Sequence, residues 1–503
     1  MSVATKPIKR PRAAPAQPLA FALSDADRRP LFVQIRENIL ERIDGDVLKE
    51  GMRLPSVRDL ARQLGVNQIT VARAYRELST SNFIEGRRGG GSFVCRKFQR
   101  ANGSHKPQDV SRPLLAERLY ELAHAPGVIA FTSNYPRIEK DAAEILSRCI
   151  SEAAEAELGG CLQYDPPIGR ARLRRALQDY FARQAIKASA EHIVITNGAQ
   201  QAIDLATRTL LEPGDAVVVE QPAYYGVLNP LRAAGARILE VPVAADGLDL
   251  GVLKQLFQRH KIKLVCTNPT FQNPSGVTLT LEKRRELLAL CRARGALLLE
   301  DDHSPELRFR GRPIPAIRSL AGEGDGVLYA RGFGKVFLPG MRIGCLLAPP
   351  KLIPKLLAAK AQSDLHSNGL VQEAVARYFA TDDLAARAAR MAKSYARRQQ
   401  TLYQGLRDGM PDGTQINRPD GGLSLWLTLP SDADLSELYF RAVRRGVAFV
   451  SGDVFYASPA AAHALRVSFG LHGPDELEEG VKRLCSVIKD LIARPAGRAT
   501  AMT

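Results

Sequence analysis

The chain has no stretch approaching the ~18 consecutive apolar residues that a membrane-spanning helix needs, which excludes a protein built on such spans. Cysteine pairs are missing as well. Cys95, Cys149, Cys161, Cys266, Cys291, Cys345 and Cys485 stand singly, with no C-x-x-C pair, which argues against a disulfide framework and against a zinc site and predicts a reducing compartment. The residues after Met1 carry charge, but no apolar core of signal-peptide length follows them, so the sequence predicts a cytoplasmic protein. There is no internal repeat. What remains is a chain of 503 residues, 45% hydrophobic and 24% charged, ordinary values for a globular protein of up to about three domains.

Positive charge is abundant and unevenly placed. The net charge is +17, and the first hundred residues hold 19 Lys or Arg against 10 Asp or Glu, or +9 in a fifth of the chain. That asymmetry is the footprint of a nucleic-acid-binding region, with a merely solvated basic face as the alternative. Residues 1–29 are rich in Pro, Ala, Lys and Arg without periodicity and read as a disordered basic tail. From Leu31 the pattern turns helical, with Leu31, Ile35, Ile39 and Ile43 four residues apart. Ser56, with Asp59 three residues on, marks a second helix that Gly65 stops, and Asn67 caps a third that carries Val71, Ala74, Tyr75 and Leu78. Two short helices joined by a three-residue turn have helix-turn-helix spacing.

Two strand-like runs, 83–85 and 92–94, flank a basic glycine-rich tip and predict a β-hairpin wing. Around the third helix, opposite its core residues, lie Ile69, Arg73 and Arg76, with Gln68 and Thr70 at the edges. These types read base edges, thymine methyls and phosphates. Asn67 at the cap, Arg58 on the preceding helix, and Arg87, Arg88 and Gly90 in the hairpin complete the expected DNA-binding set. A small helical interaction domain is the bland alternative. The stretch from Leu54 to Leu78 (LPSVRDLARQLGVNQITVARAYREL), followed by IEGRRGGGSFV at 84–94, resembles the winged helix-turn-helix of the GntR family of bacterial regulators. That family commonly has Arg where this chain has Gln68, which bears on the operator sequence rather than on DNA binding itself.

Residues 96–127 read as a linker, with a short helical pattern at 114–122. Beyond it, apolar runs near 193, 216, 264, 297, 326 and 344 alternate with helical patterns, which predicts a mostly parallel sheet covered by helices. A smaller C-terminal α/β subdomain is expected over about 375–495, with a short tail at 496–503. Lys335 sits in a glycine-rich turn (RGFGKVFLPGMRIG, 331–344), seven residues before Arg342. A lysine and an arginine so placed have the parts to hold an aldehyde cofactor by Schiff base and its phosphate by charge. The run TNGAQQAI (196–203) follows a strand and opens a helix, so the Ala199 and Gln200 amides suit a phosphate, or form an ordinary cap. The acidic run EDDH (300–303) closes another strand, where α/β sheets bind ligands; a solvated turn or a metal site is the alternative, and no metal-ligand spacing supports the latter.

These motifs, in this order, resemble fold-type I pyridoxal-phosphate enzymes, the aspartate aminotransferase superfamily, over roughly residues 128–490. The resemblance implies bound pyridoxal 5'-phosphate. Lys335 would be its Schiff-base lysine, Asp301 the partner of its pyridine nitrogen, and Asn273 in NPTFQNPSG (268–276) the partner of its phenolic oxygen. Tyr224 in EQPAYY (220–225) would stack on the ring, with packing in the core as the alternative. Arg342 would bind the phosphate, as would Tyr164 in YDPPIGRARL (164–173), reaching a partner subunit's site. Arg466 in LRVSF (465–469) would hold an effector carboxylate. His303 stands where related regulators usually have tyrosine, and Gly332 and Gly334 replace the hydroxyl residues common in the lysine loop.

A GntR-type head joined to an aminotransferase-like body resembles the MocR subfamily. The implied protein is a DNA-binding transcription regulator that binds pyridoxal phosphate and senses a small amine or amino acid. It would act as a head-to-tail homodimer on double-stranded operator DNA. An active aminotransferase with a regulatory head is the rival, and a regulator with an empty, degenerate pocket is a third reading.

Overall fold

The computed structural model describes residues 19, 21, 23, 31–44, 47–49, 51–80, 83–87, 91–94, 127–322, 325–335, 339–381, 384–430, 435–458 and 463–492. They fall into two compact units, Met1–Asp109 and Val110–Thr503. The linker up to residue 126, its expected short helix, Arg88, Gly90 and the C-terminal tail lie outside the described residues.

In the first unit, helices α1 (Leu31–Asp44), α2 (Val57–Leu64) and α3 (Gln68–Thr80) precede a hairpin of β1 (Ile84–Arg87) and β2 (Gly91–Val94). The local chemistry follows the caps. Ser56 Oγ accepts from the Asp59 amide at 3.1 Å, Gly65 takes φ 67° to close α2, and Asn67 Oδ1 accepts from the Ile69 amide at 2.9 Å. Ile35, Ile39, Leu60, Val71, Ala74 and Leu78 bury one shared core. One expectation changes here. Leu19, placed by composition in an unordered tail, is buried in that core, and Phe21 and Leu23 pack against it. Three apolar residues at alternate positions supply enough buried surface to tie down the end of a segment that is otherwise basic and proline-rich.

The second unit is built on an eight-stranded sheet in the order β4-β11-β10-β9-β8-β5-β6-β7. Before it comes β3 (Ile129–Ala130); the sheet comprises β4 (Ile193–Thr196), β5 (Ala216–Gln221), β6 (Arg237–Ala244), β7 (Gly247–Leu248), β8 (Ile262–Thr267), β9 (Leu297–Asp301), β10 (Val327–Gly332) and β11 (Gly344–Leu347). All but β7 and β11 run in one direction. The central strands are apolar on both faces because helices cover both, and separate clusters of buried side chains lie on either side.

A smaller sheet joins β12 (Gln415–Asn417), β13 (Ser424–Thr428), β15 (Val450–Ser451) and β16 (Ala464–Ser468), while β14 (Val447–Ala448) pairs with β3. Its extent differs from the expected 375–495. The helix Gly369–Thr381 buries Ala374, Val375, Tyr378 and Phe379 in the core of the large sheet, so the smaller layer takes up with the helix Leu384–Gly409. It also recruits the start of the domain, because Phe131 is fully buried among Leu425, Val467 and Leu484. A sequence pattern reports which face of an element is apolar, and not which distant element will cover it.

Candidate functional site

The parallel strands β4, β5, β8, β9 and β10 end at Thr196, Gln221, Thr267, Asp301 and Gly332, all at the same edge of the sheet. The residues that follow those ends therefore converge, as they do in open α/β sheets generally. Asn197–Gln200, Tyr224, Asn268–Asn273, Asp301–His303 and Lys335 are delivered there from five separate segments.

Asp301 closes β9 and is buried, and its Oδ1 has no hydrogen-bond partner among the described residues. Burial raises its pKa, as do the neighbouring Asp302 and Glu220 carboxylates, while the Lys335 charge pulls it back down. Burial likewise drives the Lys335 amine well below the usual lysine range, partly countered by Asp301. An amine and a carboxyl held close to neutrality, one of them with an orphaned oxygen, form a site prepared for a further polar group.

Asn268 organises this edge. Its Nδ2 donates to the Asp301 carbonyl at 2.6 Å and lies 3.0 Å from His303 Nδ1, while its Oδ1 accepts from the Asn273 amide at 2.7 Å. Beneath it, buried Glu220 accepts from Thr267 Oγ1 at 2.6 Å, from the Asn268 amide at 3.0 Å and from Gln272 Nε2 at 3.0 Å. Asn273 Oδ1 accepts from Arg466 Nη1 at 2.8 Å, and Arg466 Nη2 donates to the Thr132 carbonyl at 3.0 Å. Arg466 is buried and its Nε has no partner among the described residues.

At β4, Gly198 takes φ 85° and opens the helix Ala199–Leu210, so the first free amides of that helix face outward from the sheet edge. The exposed Arg342 donates from Nη2 to the Asn197 carbonyl at 3.0 Å, beside Gly198. Cation and helix N-terminus thus adjoin, an arrangement that suits a phosphate. Tyr224 Oη donates to Gln200 Oε1 at 3.4 Å, and Gln200 Nε2 to the Gly226 carbonyl at 2.6 Å. The glycines of the lysine loop have a spatial reason. A Cβ on Gly332 would stand 3.1 Å from Ala199 Cβ, and one on Gly344 would stand 2.6 Å from the Gly198 carbonyl carbon, so backbone is wedged against the helix start.

Tyr164 is not brought into this cluster; it is 84% exposed and lies edge-on to His366 at 5.7 Å. In the first unit Arg58, Asn67, Gln68, Ile69, Arg73 and Arg76 are exposed, Ile69 to 75%, and Thr70 is half-buried. The Arg73 guanidinium stacks on the Phe32 ring at 3.8 Å, a contact the helical wheel did not anticipate. Arg87 lies in β1, across from Gly91.

The residues that sequence reasoning passed over are Asn268, Glu220, Gln272 and Arg331. Asn268 opens a recognised motif, so a signal existed. Glu220, Gln272 and Arg331 also lie in quoted motifs, but nothing local to them showed that their side chains would be buried and paired.

His303 carries a pH dependence. Burial, then the Lys335, Arg331 and Arg466 charges, push its pKa well below 6.5. Below pH ~6.5 an unfolded chain protonates this imidazole and the folded one does not, so stability falls as pH falls, by about 1.4 kcal/mol for each unit until the folded pKa is reached. Unfolding free energies from urea titrations at pH 7 and pH 5.5 should therefore lie closer together in His303→Gln than in wild type, by about 1.3 kcal/mol. Equal acid sensitivity in both proteins would show that His303 is not held neutral.

Comparison with known proteins follows the two units. Residues 126–484 match the class I and II aminotransferase family, and residues 31–94 match the gntR family of bacterial regulatory proteins. The chain is 30% identical to the probable rhizopine catabolism regulatory protein MocR of Rhizobium meliloti, across 95% of this chain and 98% of that one. It is also 30% identical to the HTH-type transcriptional regulator TauR of Rhodobacter capsulatus, across 93% and 99%. The kynurenine aminotransferase of Pyrococcus horikoshii, solved in complex with PMP, superposes with a TM-score of 0.71 at 32% identity, covering 77% of this chain and 99% of that one. Fold and comparisons define a DNA-binding transcription regulator with a winged helix-turn-helix and a fold-type I aminotransferase-like domain. The chain belongs to the MocR subfamily of the GntR family.

Proposed function

We propose that the aminotransferase-like domain is a pyridoxal-phosphate-dependent sensor that sets how the winged-helix head engages operator DNA. The observation that carries this reading is the orphaned, buried Asp301 Oδ1 beside an amine of depressed pKa, in a chain that also carries a DNA-binding head. The donor set fits the cofactor. Asp301 would hold the pyridine nitrogen, Lys335 the aldehyde carbon, and Asn273 and neutral His303 the phenolic oxygen. Tyr224 would cover the ring, and the Ala199 and Gln200 amides and Arg342 would take the phosphate. Bound there, the cofactor supplies an aldehyde that condenses with primary amines. Arg466, with an unpartnered Nε, selects an effector that carries a carboxylate.

The exposed Tyr164 fits a head-to-tail homodimer in which it reaches the partner's phosphate. In this scheme residues 30–95 form the head, 96–127 the linker and 128–495 the sensor. Occupancy of the pocket would bias an existing equilibrium between arrangements of the two heads, and so the half-site spacings they span. Titrating the purified protein with pyridoxal phosphate, with and without amino acids, tests this on an operator mapped by genomic footprinting. A changed affinity or footprint is expected; no change in either would end the sensor reading. An active transaminase is favoured by one observation, the intact set Lys335, Asp301, Asn273 and Arg466. Sustained turnover of an amino acid by the full chain would favour it.

A further inference from the structure

We propose that Asn268 fixes the His303 imidazole as its Nε2–H tautomer, so that His303 and Asn273 both offer an N–H, and no lone pair, to the phenolic oxygen of the cofactor. This rests on the reading that pyridoxal phosphate occupies the site. The orientation of the Asn268 amide is set by two backbone partners that cannot exchange roles. Its Oδ1 accepts from the Asn273 amide N–H at 2.7 Å, and its Nδ2 donates to the Asp301 carbonyl at 2.6 Å. The Asn268 atom 3.0 Å from His303 Nδ1 is that same Nδ2, a donor with a second hydrogen to give. Nδ1 meets it with a lone pair, which in a neutral ring leaves the proton on Nε2. Nε2 itself has no hydrogen-bond partner among the described residues.

Asn273 is oriented by the same logic. Arg466 Nη1 can only donate, and it lies 2.8 Å from Asn273 Oδ1, so the carbonyl end of that amide is taken and Nδ2 remains to donate. Both asparagines are buried, where a mismatched polar pair is costly, and that cost holds the two orientations. Burial, and the Lys335, Arg331 and Arg466 charges around it, keep the His303 ring neutral, so its tautomer and not its protonation decides what it offers. A tyrosine hydroxyl would turn to donate unaided. An imidazole donates from Nε2 in only one of its two neutral tautomers, which is why His303 needs Asn268. Two donors on one oxygen stabilise its ionised form. Asn268 is thus a positioning residue that acts through His303 and Asn273 together.

The first measurement needs no cofactor. In the full chain carrying isotopically labelled histidine, nitrogen NMR at about pH 7 should show a protonated Nε2 and a bare Nδ1 for His303, assigned as the resonances absent from His303→Gln. In Asn268→Ala the two nitrogens should lose that contrast, each averaging toward the other as both tautomers are populated. A proton on Nδ1 in the wild type, or an unchanged pattern in folded Asn268→Ala, overturns the proposal; should that variant not fold, the wild-type pattern decides. The second measurement follows the visible absorbance of protein loaded with pyridoxal phosphate as pH is raised. Because the donors stabilise the ionised oxygen, removing one makes the chromophore hold its proton to higher pH. His303→Leu should move the midpoint up by about 1–2 pH units, the worth of one hydrogen bond to a charged group, and His303→Gln, which restores an N–H, should stay near wild type. A midpoint unmoved by His303→Leu overturns the donor role. A wild type that takes up no visible band overturns the cofactor reading itself, while the tautomer found without cofactor stands independently.

Discussion

Replacing Lys335 with alanine is expected to take the protein from one firmly held cofactor per chain to none. In the proposed site Lys335 supplies the amine, and burial lowers its pKa to about 7, which raises the share of free amine, the form that attacks an aldehyde. Without it the phosphate cup proposed at Ala199, Gln200 and Arg342 would still attract the anion, but exchange would be fast. The measurement is the visible absorbance of protein passed through a desalting column after incubation with pyridoxal phosphate, supported by intact mass after borohydride reduction. Wild type should retain the band and the added mass, and Lys335→Ala neither. The same variant separates sensing from folding. It should still bind duplex DNA through the head, yet its footprint should no longer respond to the cofactor. A variant that keeps the band would place the attachment elsewhere; one that responds to cofactor without holding it would detach sensing from Lys335.

Arg331→Met should produce the largest loss of stability. Arg331 is fully buried on β10, donates from Nη1 to the Asp302 carbonyl at 2.7 Å and from Nη2 to Tyr180 at 3.2 Å, and pairs with Glu306. Burial alone would lower its pKa, but Glu306 and the groups around it raise it well above the usual value. Tyr180 Oη donates to the same Glu306 oxygen, and the other oxygen, Oε2, is buried without a partner among the described residues. Removing the cation leaves the Glu306 carboxylate, whose side chain is only 15% exposed, without its partner. Breaking such a pair costs about 3–5 kcal/mol, readable in the urea midpoint of the aminotransferase-like domain. Adding Glu306→Gln to Arg331→Met should restore part of the loss, because the stranded charge goes with it. A cost under about 1 kcal/mol would mean that the pair relaxes toward solvent.

The head was legible almost residue by residue. Ser56, Gly65 and Asn67 are local signals, since a cap or a positive φ is satisfied within three or four residues of itself. The strands of the large sheet were legible for a similar reason, as short apolar runs set between helical patterns. The anchoring of Leu19 was not, because its partner Gln63 lies 44 residues away. Nor was the start of the smaller layer, since the helix Gly369–Thr381 is amphipathic whichever core it joins. Lys335, Asp301 and Asn273 stood out through motifs, whereas Arg331 looked like an ordinary charged residue ending a strand. Only burial against Glu306 and Tyr180 makes it a structural ion.

The sequence by itself determined the kind of protein, because a capped helix-turn-helix and an ordered set of strand-end motifs are written in neighbouring residues. Tertiary structure alone decided how those motifs meet. Arg466 reaches Asn273 across 193 residues and the Thr132 carbonyl across 334, and Asp301 Oδ1 is buried without a partner among the described residues. Those relations depend on which surfaces the folded chain buries together, and chain-local patterns carry no record of that choice.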